Sequence, residues 1–65
     1  MNITFWLRDG RHTRVVNADR RTVGAQVQYI VDRPSSGTRL ANTQSGGQVG
    51  EFRNADVDRI EIDLT

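Results

Sequence analysis

Thr22-Val23-Gly24-Ala25-Gln26-Val27-Gln28-Tyr29-Ile30-Val31-Asp32 is the stretch on which the fold turns. Val23, Ala25, Val27, Tyr29 and Val31 alternate with Thr22, Gly24, Gln26, Gln28 and Ile30, which is the period of a strand. Val23, Val27, Ile30 and Val31 also fall at i, i+4, i+7 and i+8, which is the stripe of a helix. Two features favour the strand. The stretch is rich in β-branched residues, and Gly24 inside a helix costs about 1 kcal/mol relative to Ala. Pro34 ends the element in either case, because it lacks an N–H and biases Arg33 away from helical angles.

Towards the amino end, Ile3, Phe5 and Leu7 alternate with Asn2, Thr4, Trp6 and Arg8, as in a half-buried strand. Asp9-Gly10 follows as a tight-turn dipeptide of the type I′ kind, with Thr13–Ala18 as the returning strand. Asn17-Ala18-Asp19 and Asn54-Ala55-Asp56 are turns, since these side chains bond nearby backbone and tolerate left-handed angles. Their recurrence follows from shared turn chemistry rather than from a duplicated half-domain. Towards the carboxyl end, short strands are expected over Arg39–Thr43 and Val49–Arg53, with a turn at Gln44–Gly47 between them. The final strand is Arg59–Leu64, where Ile60, Ile62 and Leu64 alternate with Arg59, Glu61 and Asp63. Loops are expected near 34–38 and 43–48.

Five or six short strands with turns every eight to twelve residues predict one all-β domain over residues 1–65. It would be a small barrel or a strongly bent antiparallel sheet. Strand count and spacing resemble those of SH3-like and Sm-like barrels. The alternative is an α+β domain of order ββαββ, which follows if 22–32 is helical.

Sixty-five residues bury about 60% of the surface the unfolded chain exposes, so the core is modest. With no cysteine, neither a disulfide nor a thiolate–metal site can staple it, leaving packing or oligomerisation. No apolar run reaches the ~20 residues of a membrane span, and no basic-then-apolar leader is read. The expected address is the cytoplasm, with no membrane partner, and Asn2-Ile3-Thr4 is then a chance sequon.

The cations are nine arginines with no lysine, and the net charge is +1. Residues 1–33 carry +3 and residues 51–65 carry −3, so pairing of the two ends would neutralise much of the charge internally.

Catalysis finds little footing here. One histidine, His12, and scattered serines make no nucleophile-elbow spacing, and no Lys follows Gly46-Gly47 to complete a phosphate loop. Asp56, Asp58, Glu61 and Asp63 lack the spacing and central Gly of a calcium loop, and no cofactor is expected.

Two binding surfaces are candidates instead. Trp6, Val16 and Ile30 fall opposite the better-supported inward positions. Together they would form an apolar patch for a protein partner or a second copy, unless the 35–48 loop covers them. The alternative is a nucleic-acid surface of Arg8, Arg11, Arg14, Arg20 and Arg21, with Trp6 as a stacking platform. Against it, the net charge is small, and Glu61 and Asp63 could occupy the same arginines. The expected role is therefore a small non-catalytic association module, with protein or self ahead of nucleic acid as partner.

Overall fold

A computed structural model describes residues 1–40 and 50–64. Strands β1 (Asn2–Leu7) and β2 (His12–Val15) lead into helix α1 (Arg20–Asp32). After it come β3 (Gly37–Arg39), β4 (Glu51–Arg53), a single 3-10 turn at Asn54–Asp56 and β5 (Val57–Asp63). One antiparallel sheet has the order β2-β1-β5, and β3 and β4 form a second, two-stranded one. Neither sheet closes into a barrel among the described residues.

The helix corrects the strand expected over 22–32, and with it the all-β class; the fold is strand-rich with one helix in the order ββαβββ, one strand more than the ββαββ alternative. Its start explains why. Asp19 sits in extended geometry at the N-cap, its carboxylate accepts from the Arg21 N–H at 2.9 Å, and its carbonyl accepts from Thr22 and Val23. That cap satisfies donors a helix otherwise leaves bare, and Ala18 and Val23 pack on the core beside it. At the other end the Arg33 N–H closes on the Tyr29 carbonyl just before Pro34. Tertiary packing of the Val23–Ile30 stripe outweighs the β-branched bias and Gly24.

The first hairpin forms where expected but with a different turn. Leu7 N–H bonds the Arg11 carbonyl at 2.8 Å, and Gly10 N–H bonds the Leu7 carbonyl at 3.0 Å. Gly10 alone in the loop takes positive φ, at +92°. This is a three-residue loop with a glycine bulge rather than a two-residue type I′ turn. Asp9 then needs no left-handed angle, and its carboxylate accepts from the Arg11 N–H at 2.9 Å. The returning strand ends at Val15, before the expected Ala18, because Asn17 turns left-handed at φ +55°.

β5 pairs antiparallel with β1, setting Ile3 opposite Ile62, Phe5 opposite Ile60 and Trp6 opposite Arg59. The two ends of the chain, basic and acidic, thus lie side by side. Ile3, Phe5 and Leu7 face inward with Ile30 and Phe52 to make the buried core, the Phe5 and Phe52 rings 5.5 Å apart. α1 and the β3–β4 hairpin cover this inner face.

A polar clamp ties that hairpin to the helix end. Asn54 is buried, accepting from Thr38 Oγ1 at 2.5 Å and donating to the Arg33 carbonyl at 2.9 Å. Its own N–H bonds the Ser36 carbonyl at 2.9 Å. β3 takes Gly37–Arg39 rather than Arg39–Thr43, beginning inside the loop expected over 34–38, and β4 keeps Glu51–Arg53 of the strand expected over Val49–Arg53; the expectations for 41–49, including the turn at Gln44–Gly47, lie outside the described residues.

Candidate protein-interaction face

The inner side chains of β1 are spent on the core, so pleat alternation sends Asn2, Thr4 and Trp6 to the opposite face. Register aligns His12, Trp6 and Arg59 in one row across β2, β1 and β5, and Arg14, Thr4 and Glu61 in the next. No helix or strand packs on this outer face among the described residues.

Trp6 is its centre. The His12 ring lies 5.1 Å from it on one side, and the Arg59 guanidinium sits over it at 5.4 Å on the other. The indole N–H donates to Glu61 Oε1 at 2.6 Å, and Arg59 Nη2 reaches the same oxygen at 3.0 Å. Ring, cation and carboxylate therefore hold one another on a surface that solvent reaches. An arginine over an indole gains about 0.5–1 kcal/mol at an exposed site.

The predicted apolar patch does not assemble as drawn. Ile30 belongs to the core, only 5% exposed, because the helix turns it towards the inner face. Val16 is half-buried just beyond the end of β2. Only Trp6 of the three lies on the outer face of a described strand.

The predicted basic cluster is also dispersed. Arg8 and Arg11 stand at the hairpin loop, where Arg8 Nε donates to the Ala55 carbonyl at 3.0 Å and Arg11 pairs with Asp9 at 2.6 Å. Arg20 and Arg21 stand at the start of α1. Arg20 bonds the Leu64 carbonyl at 2.7 Å, and Arg21 pairs with Asp19 at 3.1 Å. Arg14 alone of the five shares the outer face with Trp6.

Two carboxyl groups are shifted. The Arg11 amide N–H, aided by its guanidinium, holds Asp9 below the ordinary 3.8. For Asp19 the Arg21 guanidinium acts first and the Arg21 N–H second, again lowering the carboxyl. Both effects are local to turns and lie apart from Trp6.

Arg59 and Glu61 are the site residues that sequence reasoning missed. The signal was present: they alternate with Ile60 and Ile62, and pairing of the chain ends puts that alternate face beside Trp6. Choosing between the possible registers required the structure.

Among the described residues, no three of His, Asp or Glu gather where a metal ion could be held. No described helix is long and apolar enough to cross a membrane. Comparisons with protein-family models, with curated proteins and with solved structures find no match to this chain.

Proposed function

We propose that this chain is a small non-catalytic association module that binds protein, a second copy of itself included, through the outer sheet face centred on Trp6. The observation that carries the reading is the Trp6–Arg59–Glu61 group, a preordered aromatic and ionic cluster on a face that no described element covers. Trp and Arg are the residues most enriched where binding energy concentrates, and groups already held in place lose less entropy on binding. Catalysis gains no support from His12, whose described contact is the Trp6 ring. A chain this short, with five large apolar side chains in its buried core, also gains stability from any partner that binds only the folded state.

Nucleic acid is the weaker reading, because Arg8, Arg11, Arg20 and Arg21 stand at the hairpin loop and the helix start, each engaged with a local acid or carbonyl, and only Arg14 of the five shares the face of Trp6. Light scattering over a concentration series, with and without a generic single-stranded oligonucleotide, tests the choice. The expected result is mass that grows with protein concentration and is indifferent to the oligonucleotide. Trp6→Ala should weaken association by about 2 kcal/mol or more, as at an interface hot spot, while lowering folding stability by less. A chain monomeric at high concentration contradicts self-association, and an oligonucleotide complex favours the nucleic-acid reading.

A further inference from the structure

The three-stranded sheet ends on β5, seven residues long, and no described strand pairs with its outer edge. The hydrogen-bond alternation shows which groups that edge offers. Leu7 bonds β2 through the Arg11 carbonyl, so odd residues of β1 face β2 and even ones face β5. Asn2, Thr4 and Trp6 thus engage Asp63, Glu61 and Arg59, which leaves Ile60 and Ile62 with N–H and C=O directed outward. Such an edge is a template for another strand.

The side chains along it are unfinished in the same direction. Ile62 is 47% exposed although it lies opposite the buried Ile3, and Leu64 is 60% exposed. On the helix beside the edge, Val31 is 66% exposed. It shares with Ile30, Val57 and Ile60 a groove of about 370 Å³ between α1 and β5. On the outer face, by contrast, the edge carries alternating charge, Arg59 then Glu61.

We propose that β5 pairs antiparallel with β5 of a second copy, across a twofold axis at Ile60, to make one six-stranded sheet. This rests on the reading of the chain as an association module and names its partner. The sequence of the strand selects the register. Centred on Ile60, each Arg59 stands opposite the other copy's Glu61, giving two opposite-charge pairs and an Ile60–Ile60 contact on the core side. Centred one residue later, Glu61 stands opposite Glu61; one residue earlier, Arg59 stands opposite Arg59. Like charges directly opposite destabilise a sheet, so only the Ile60 register is free of them among the three. Twofold symmetry repeats each favourable pair. Trp6 acts as a positioning residue: its ring holds Arg59 and its N–H holds Glu61, so both charges stand ready at the edge. The pairing also brings the two Ile60–Val31 grooves side by side on the helix side of the sheet.

Sedimentation equilibrium on the whole chain tests this with Arg59→Glu, Glu61→Arg and the double swap, each checked for folding by urea denaturation. The wild type should move with concentration from 7.3 kDa to twice that mass. Each single variant sets like charges opposite each other twice and should dimerise at least about tenfold more weakly. The double variant restores both opposite-charge pairs with net charge unchanged, and it should recover the dimer. If either single variant fails to fold, recovery in the double variant still decides the matter. Association that Trp6→Ala abolishes, but that the double swap does not recover, overturns the β5 pairing and leaves the outer-face reading intact. A wild type that stays at 7.3 kDa throughout overturns the β5 pairing and, with it, self-association through the outer face.

Discussion

At Trp6 two contacts can be taken apart by substitution. Trp6→Phe keeps an aromatic face under Arg59 but loses the indole N–H that Glu61 accepts, so association should fall between wild type and Trp6→Ala in a light-scattering titration. Asn54 tests the interior instead. Its side chain is buried with both ends bonded, and Asn54→Ala leaves the Thr38 hydroxyl and the Arg33 carbonyl without it. Urea unfolding should show a loss of about 1–3 kcal/mol. From the sequence Asn54 was legible only as a turn residue, because burial of a polar side chain depends on what folds over it. Asp19 gives the pH dependence. Its carboxyl titrates below its ordinary 3.8 when folded, so its contribution is present above that value and is lost as pH falls through the lowered one. Asp19→Asn keeps an acceptor at the N-cap but has no charge to titrate. The urea midpoint of that variant should therefore fall less steeply than the wild type's below about pH 4.

Among the elements, the first hairpin and the last strand were legible because alternation there is strict and one face alone is apolar. The helix was not. Three of its four apolar stripe positions, Val23, Val27 and Val31, also share one face of a strand, and local propensity pointed to the strand. What decided against it was Asp19, which reads as turn chemistry until the residues after it are known to be helical. The glycine that argued for a strand gives the test. Gly24 is exposed on α1, takes no positive φ, and a Cβ there would meet nothing within 4 Å. Gly24→Ala should therefore stabilise the domain by about 1 kcal/mol, raising the melting temperature by roughly 4–8 °C. Far-UV circular dichroism should carry the signature of α1.

For the whole molecule, the division of faces connects fold to function. α1 and the β3–β4 hairpin take one side of the sheet, and the core they close is small. The other side keeps the only tryptophan of the chain in view, beside an edge strand with outward-facing backbone. That Trp6 would lie opposite the core was legible in the alternation of the first strand. What would stand beside it was not, because Ile30 moved to the core with the helix while Arg59 and Glu61 arrived through strand pairing. The single indole makes the surface directly observable by two-dimensional ¹⁵N NMR over a dilution series. With association through this face and edge, the Trp6 indole signal and the amides of Arg59, Ile60, Glu61 and Ile62 should shift together with concentration, while Gln28 on α1 stays fixed. Spectra that do not change with concentration, or changes confined to residues away from Trp6 and β5, would contradict it.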